Sequence, residues 1–206
     1  MDKRLVVVLH GYGMSGEEMR DWLDSADDQF FPDAPMRWRE GCFLRSWFLY
    51  LHEHAGTQED EICSADLEKT LNALRLRIEA RAAGRPVVLV GLSEGGCTAL
   101  LLAHRMVVQR VVTLVAYARC GPPVAPWWAL SADADDIYRL AWTRDSLRCA
   151  QRWLRVQDDH YLHHSDAQVK AFLQAALCDN AVCVDGGVAK SGAAGCQAQE
   201  AGPHKL

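Results

Sequence analysis

The sequence predicts an α/β fold in which a mostly parallel sheet carries helices on both faces. Short runs of consecutive apolar residues alternate with longer segments in which apolar residues recur at three- and four-residue steps. The runs are typical of strands buried on both faces, and the stepped segments are typical of helices that cover a sheet. Because the chain has 206 residues, of which 50% are hydrophobic, we expect one domain with a sizeable core over residues 1–179.

Composition limits the partners and the compartment that we expect. A net charge of −5 provides no basic face for nucleic acid, and the longest apolar runs are too short to span a bilayer. The run Leu5–Leu9 is also too short for a signal-peptide core, so we expect a cytoplasmic protein. The 8 cysteines include no C-x-x-C pair, which favours free thiols over zinc or redox motifs. We therefore expect no metal, no cofactor, no nucleic acid and no membrane span, and these observations leave the oligomeric state open.

Two clear elements are predicted in the first half of the chain. Leu5–Leu9 is fully apolar and predicts a buried strand. Ser64–Ala83 predicts a helix with Ser64 as its N-cap, because leucine and isoleucine recur along one face. Between them we predict a short helix over Glu17–Leu23, a strand end that leads into a loop over Phe30–Pro35, and a strand or pocket wall over Arg45–Leu51.

Strands and helices continue to alternate in the second half. Ser165 is expected to cap the last helix, and the composition shifts to Gly, Ala, Ser and Gln after Cys178, so residues 180–206 are predicted to be a disordered or loosely held tail. The other predicted elements are strands at Val87–Val90, Arg110–Ala116, Pro126–Leu130 and Trp153–Val156, and a helix at Leu140–Arg152.

The most informative stretch is Gly91–Gly95, which has the pattern G-x-S-x-G between a predicted strand and a predicted helix. A sharp strand-to-helix turn strains the backbone of its serine, Ser93, and raises the hydroxyl above the sheet. Glycine is needed on both sides because neighbouring chain passes close by, and the helix N-terminus points free N–H groups at the same spot. A second glycine-rich turn, His10–Gly16, follows the first strand, and His10 is expected to brace it.

Six short motifs follow one another along residues 5–177. They are Leu9–Gly13, Pro32–Pro35, Trp47–Phe48, Gly91–Gly96, Asp133–Asp135 and His160. In this order they resemble the small serine esterases of the α/β-hydrolase fold, in the carboxylesterase, phospholipase and acyl-protein thioesterase family. The resemblance implies an α/β-hydrolase fold. Because the connection from Tyr117 to Trp127 is short and no other stretch is long enough, we expect no large lid domain.

The resemblance also implies roles by position. Ser93 would be the nucleophile, His160 the general base and Asp135 the acid that orients it. The backbone N–H groups of Tyr12 and Glu94 would form the oxyanion hole.

Neighbouring polar residues are given other roles. Asp133 and Asp136 are expected to solvate or cap the acid loop rather than to act in its place. His163 and His164 lie close to His160, but three histidines without a cluster of carboxylates do not predict a metal site.

The chain departs from the family pattern at three places. Glu94 stands where the family usually has Gln, Asp158-Asp159 replaces glycines before the base, and Ala132 replaces a glycine before the acid loop. A carboxylate at a helix N-terminus is favourable and the expected donor of Glu94 is its backbone, so catalysis is compatible with Glu94. A Glu94 carboxylate that points toward the oxyanion would slow the reaction.

The expected function is hydrolysis of small-molecule carboxylic esters with short to medium acyl chains through an acyl-enzyme. Met14, Trp47, Phe48 and Tyr117 are the expected walls of the substrate pocket, with core packing as the alternative role for Trp47 and Phe48. One alternative function is thioesterase or lysophospholipase activity on longer acyl chains. The other is a catalytically weak hydrolase-fold protein that serves as a binding or interaction module.

Overall fold

The computed structural model describes residues 3–23, 25–39, 41–52 and 61–178. Apolar β-branched runs form the central strands, and stepped apolar segments form the helices, as the two periodicities require. The strands are β1 Leu5–Leu9, β2 Asp28–Phe30, β3 Met36–Arg39, β4 Cys42–Arg45, β5 Tyr50–His52, β6 Glu61–Ile62, β7 Val87–Leu92, β8 Arg110–Leu114, β9 Trp127–Ala132 and β10 Arg152–Val156. The helices are a 3₁₀ helix at Glu17–Trp22 and the α-helices α1 Ser64–Ala82, α2 Glu94–Ala103, α3 Leu140–Leu147 and α4 Asp166–Leu177.

Six strands form one sheet in the order β10-β9-β8-β7-β1-β2, and all neighbouring strands in it are parallel. From β1 the chain first moves outward to β2, then returns to the other side of β1 and adds β7, β8, β9 and β10. The direction of strand addition therefore reverses between β1 and β7, whose ends pair Leu9 with Gly91. Open α/β sheets bind ligands in the crevice at such a reversal, beyond the carboxyl ends of the strands.

The sheet separates two layers of hydrophobic core. Alternate strand residues face opposite sides, so Leu5 and Val7 lie in one layer while Val6 and Val8 lie in the other. The first layer is completed by α1, α2 and the buried end of α3, and the second by the 3₁₀ helix and α4. The predicted α/β architecture with helices on both faces is thus confirmed.

Two small antiparallel pairs lie between β2 and α1 along the chain. β3 pairs with β4, and β5 pairs with β6. Residues 46–48 lie between β4 and β5 along the chain and are fully buried against the first core layer. Among the described residues, no connection between elements is long enough to form a lid domain.

The end of α3 and the cap of α1 differ from the sequence-based predictions. The helix predicted over Leu140–Arg152 ends at Leu147, because the chain turns there to bury Ala150 and enters β10 at Arg152. The N-cap of α1 is Cys63 rather than Ser64, and no side chain caps that end. The tail predicted over residues 180–206 lies outside the described residues. Within the described part of the chain, no helix is long and apolar enough to cross a membrane.

Candidate active site

Ser93 lies in the turn between β7 and α2, beside the crevice at the strand reversal. Its φ is 52° and its ψ is −119°, a conformation that residues with a side chain rarely adopt. The turn is held in place because the Ser93 N–H donates to the Leu114 carbonyl at 2.9 Å and the Ser93 carbonyl accepts from Gly96 at 2.9 Å. The Ser93 side chain stays half-buried, whereas every residue of α2 is buried.

The glycines around Ser93 are required by close backbone approach. A Cβ on Gly91 would collide with the backbone of Gly95, and a Cβ on Gly95 would collide with the carbonyls of Leu9 and His10. Without side chains at these positions, α2 begins directly against the ends of β7 and β1. The first turn of α2 therefore lies beside the loop that follows β1.

A chain of hydrogen bonds joins Ser93 to His160 and His160 to Asp135. The distance from Ser93 Oγ to His160 Nε2 is 2.7 Å, and His160 Nδ1 lies 2.9 Å from Asp135 Oδ2 and 3.0 Å from Asp135 Oδ1. A carboxylate only accepts hydrogen bonds, so Nδ1 carries a proton and Nε2 of the neutral ring accepts the proton of the serine hydroxyl. His160 and Asp135 are each only 6% exposed. This arrangement can draw a proton from Ser93 Oγ.

The loop after β9 orients the Asp135 carboxylate. Asp135 Oδ1 accepts from the backbone N–H groups of Ile137 at 2.9 Å and Tyr138 at 2.7 Å. The Tyr138 ring also packs edge-on against the His160 ring, with centroids 5.3 Å apart. Asp133 instead accepts from Arg155. The structure thus brings Asp135, and not Asp133, to the histidine.

Asp158 holds the loop that carries His160. Its carboxylate accepts from the backbone N–H groups of Asp159 and His164, both at 2.9 Å, and from the Ser165 hydroxyl. Its carbonyl accepts from the Ala134 N–H at 2.9 Å, which ties this loop to the acid loop. Asp158 therefore supplies loop contacts that a glycine at this position lacks.

The other two histidines of this loop lie away from Ser93. His163 and His164 are exposed, and the His163 ring stacks on Tyr161 with centroids 5.5 Å apart. In the described residues, no group of three histidine, cysteine or acidic side chains could hold a metal ion.

His10 braces the loop after β1 from within the core. Its Nδ1 donates to the Gly11 carbonyl at 2.7 Å and its Nε2 accepts from the Ala34 N–H at 2.9 Å. Both bonds suit the neutral ring, and burial lowers the pKa of His10. The Trp47 indole N–H donates to the His10 carbonyl at 2.9 Å, so the loop that contains Tyr12 is fixed from two sides.

The Glu94 carboxyl points into the core and contacts the buried segment 46–48. Ser46 Oγ lies 2.7 Å from Glu94 Oε1, and the Trp47 N–H donates to Oε2 at 3.1 Å. The Tyr50 hydroxyl and the Phe48 N–H also donate to this carboxyl. Burial raises the pKa of Glu94 from 4.5 to about 7, against the opposing effect of these donors. The sequence predicted none of these contacts, because Ser46 and Tyr50 belong to no recognisable motif and lie far from Glu94 along the chain.

The four residues predicted to line a substrate pocket are in different environments. Trp47 and Phe48 are 1% and 0% exposed and belong to the core, which is the alternative role that the sequence left open. Tyr117 is also buried, with its ring edge-on to Tyr138. These three side chains therefore belong to the core. Met14 is half-buried, and its Sδ reaches the same side of Gly11 as Ser93 Cβ.

Comparisons with known proteins give structural matches only. No family model matches this sequence, and no curated protein is significantly similar to it. The crystal structure of SOBER1 from Arabidopsis thaliana is 17% identical, covers 85% of this chain and 100% of its own, and has a TM-score of 0.69.

Two further structures are similar to the same extent. Acyl-protein thioesterase 2 from Zea mays is 16% identical, with 86% of this chain and 95% of its own covered and a TM-score of 0.69. The Bacillus cereus carboxylesterase is 17% identical, with 84% and 89% covered and a TM-score of 0.67. With the parallel sheet and the strand order described above, these matches confirm the predicted α/β-hydrolase fold.

Proposed function

We propose that this protein is a serine hydrolase that cleaves carboxylic esters of short to medium acyl chains by a Ser-His-Asp acyl-enzyme mechanism. The main support is the 2.7 Å contact between Ser93 Oγ and His160 Nε2, with His160 held by Asp135. A serine in a strained strand-to-helix turn, paired with a buried histidine and carboxylate, is the arrangement that activates a hydroxyl for acyl transfer.

In the first half of the reaction, Ser93 Oγ attacks the carbonyl carbon of the ester and its proton passes to His160 Nε2. Asp135 keeps the ring oriented and stabilises the imidazolium that forms. The oxyanion accepts hydrogen bonds from the backbone N–H groups of Glu94 and Tyr12. His160 then protonates the leaving alcohol, and the acyl group remains on Ser93.

In the second half, a water molecule replaces the alcohol. His160 takes a proton from the water, the resulting hydroxide attacks the acyl carbon, and the same two N–H groups hold the second oxyanion. Return of the proton to Ser93 Oγ releases the carboxylic acid. No cofactor or metal takes part in these steps.

Both an ester and a thioester are candidate substrates of this site. Two of the similar structures are described as a carboxylesterase and an acyl-protein thioesterase, so a thioester of a longer acyl chain is the alternative substrate. Of the four residues predicted to line the pocket, Met14 is the one that is half-buried, and it lies beside Gly11, where it can contact an acyl group.

Labelling by a fluorophosphonate probe tests the proposed nucleophile directly. We expect the probe to label the wild-type protein and not Ser93→Ala, because only an activated serine displaces the fluoride. Equal labelling of both proteins would exclude Ser93 as the nucleophile. A folded wild-type protein that never reacts would instead favour a binding or interaction module.

Substrate chemistry is tested separately with matched esters and thioesters. We expect p-nitrophenyl acetate and butyrate to give a higher kcat/KM than the palmitate, and oxygen esters to be cleaved at least as well as the thioesters with the same acyl group. A reversed preference for long-chain thioesters would replace the proposed substrate but leave the mechanism unchanged.

A further inference from the structure

The hydroxyl of Ser46 lies between two acceptors. Ser46 Oγ is 2.7 Å from Glu94 Oε1 and 2.7 Å from the Phe48 carbonyl oxygen. A serine hydroxyl has one proton, so it can donate to only one of these oxygens at a time. Both short contacts are satisfied together only if Glu94 carries a proton, donates it to Ser46 Oγ, and leaves the serine proton for the Phe48 carbonyl.

Burial favours the protonated form of Glu94. The side chain is 1% exposed, and burial is the largest of the effects that raise its pKa to about 7. When Glu94 is ionised, four groups can donate to its carboxylate and so oppose the effect of burial on the pKa: the hydroxyls of Ser46 and Tyr50 and the N–H groups of Trp47 and Phe48. The proton therefore binds and leaves near neutral pH.

The partners of Glu94 are attached to the loop that holds the second oxyanion donor. Trp47 donates its indole N–H to the His10 carbonyl at 2.9 Å, and the Gly13 N–H donates to the Arg45 carbonyl at 2.8 Å. The Tyr50 ring packs edge-on against Tyr12, with centroids 6.0 Å apart. One carboxyl thus connects the turn that presents the Glu94 N–H with the loop that presents the Tyr12 N–H.

We propose that Glu94 is a positioning residue that fixes the spacing of the two oxyanion donors and does so as a neutral carboxylic acid. This inference rests on the function proposed above. In its neutral form Glu94 makes the same pattern of contacts as a glutamine, with one group that donates to Ser46 Oγ and one that accepts from the Trp47 N–H. Loss of the proton keeps the link but places a negative charge next to the N–H that stabilises a developing negative charge, and the reaction slows.

The other ionisable groups around Glu94 do not supply this titration. Tyr50 and Tyr138 are partly buried, and desolvation raises their pKa values well above 10. Burial also raises the pKa of Cys97, and Arg119 keeps its charge. A change near pH 7 that disappears with the Glu94 carboxyl therefore belongs to that carboxyl.

The pH dependence of kcat for the wild type and Glu94→Gln tests the proposal. Both proteins require an unprotonated His160, so the pH dependence that comes from His160 cancels in the ratio of their kcat values. We expect the ratio of Glu94→Gln to wild type to be close to one below about pH 6 and to rise to about tenfold above about pH 8, with KM little changed. A ratio that does not vary with pH would overturn the proposal. So would a tenfold loss in Glu94→Gln at every pH, because the carboxyl would then have a role that the amide lacks.

Ser46→Ala tests the link from the other side. Without the hydroxyl, the segment that holds the oxyanion loop loses its contact with Glu94, and we expect kcat to fall about tenfold with little change in KM. Ser131→Ala is the matched control, because Ser131, like Ser46, is buried and hydrogen-bonded. Its hydroxyl accepts from the indole N–H of Trp153 at 2.9 Å. We expect that control to keep its kcat. An unchanged kcat in Ser46→Ala would contradict the positioning role.

An infrared difference spectrum tests the proton independently of activity. We expect the carbonyl band of a protonated carboxyl in the wild type near pH 6, its loss near pH 8, and no such band in Glu94→Gln. Absence of that band near pH 6 would overturn the inference even in an active enzyme. If the band is present but the protein neither reacts with fluorophosphonate nor cleaves esters, the proposed function fails and the protonation state is still established.

Discussion

His160 differs from the two histidines that follow it in burial and in partners. It is 6% exposed and contacts both Ser93 and Asp135, whereas His163 and His164 are exposed. Only a histidine that reaches the nucleophile with one nitrogen and a carboxylate with the other can relay the proton. The roles of these residues are therefore separable by substitution.

We predict that His160→Ala lowers kcat by a thousandfold or more, on the order of the loss of a triad member. Asp135→Asn should have a comparable effect, because it removes the acceptor that fixes the ring. His163→Ala, His164→Ala and Asp133→Asn are the controls and should cost less than about tenfold. Kinetics on one short-chain ester, with folding checked by circular dichroism, decide the matter. An inactive His164→Ala beside an active His160→Ala would mean that the base is misassigned.

The raised pKa of Glu94 also has a consequence for stability. A group whose pKa is higher in the folded state than in the unfolded state stabilises the fold at low pH, and this contribution is lost as pH rises through the folded-state value. For Glu94 the window runs from 4.5 to about 7.

We predict that the free energy of unfolding of the wild type, relative to Glu94→Gln, decreases across this window by up to the order of 3 kcal/mol, since each pKa unit is worth about 1.4 kcal/mol. Urea titrations of both proteins at several pH values measure the difference. A constant difference between the two proteins would show that the carboxyl does not change its charge in the folded state within that range.

At the scale of elements, the C-terminus of α4 is held by arginines from the sheet. Arg4, just before β1, donates to the Leu177 carbonyl at 2.6 Å and forms an ion pair with Asp27 at 2.7 Å. Arg110, at the start of β8, donates to the Ala176 carbonyl. Cations at this end of a helix satisfy its last carbonyls and interact favourably with its dipole. These contacts attach the second core layer to the amino ends of the inner strands β1 and β8.

We predict that Arg4→Ala lowers the free energy of unfolding by about 1 to 3 kcal/mol, because it leaves mostly buried acceptors without their charged donor. The kcat of the folded protein should not change, since Arg4 lies at the amino end of β1 and the site lies at the carboxyl end. Arg148→Ala is the matched control: its ion pair with Asp145 is 3.4 Å long and exposed, so its removal should cost less than about 0.5 kcal/mol. Equal losses in the two variants would refute the capping role.

Elements with a strong repeating pattern were predictable from the sequence. β1 has the predicted bounds Leu5–Leu9, and α1 ends only one residue before the predicted end. Both predictions are close because each element has an unbroken pattern of apolar residues. The pairs β3–β4 and β5–β6 were not predicted, since short antiparallel strands have little periodicity of their own. α3 is shorter than predicted because the apolar positions Leu147 and Ala150 continue its three-residue step through a turn that is not helical.

At the scale of the whole molecule, the site depends on contacts that no local pattern specifies. The order of motifs pointed to Ser93, Asp135 and His160, and the structure brings these three side chains together. The support around them was not predictable, because Glu94 binds Ser46 across 48 residues of sequence. Long-range hydrogen bonds of this kind follow from the topology and not from the spacing of residues along the chain.

The all-parallel sheet also dictates when activity can appear during folding. β1 ends at Leu9 but its neighbour β7 begins at Val87, so their pairing must close a long loop before any contact compensates for the lost chain entropy. Ser93 and His160 are likewise 67 residues apart in sequence. We predict that, on refolding from urea, helical circular dichroism recovers first and reactivity toward fluorophosphonate appears only in the slowest phase, as quenched labelling would detect. Labelling that rises with the earliest helical signal would mean that the nucleophile is activated before the sheet is complete.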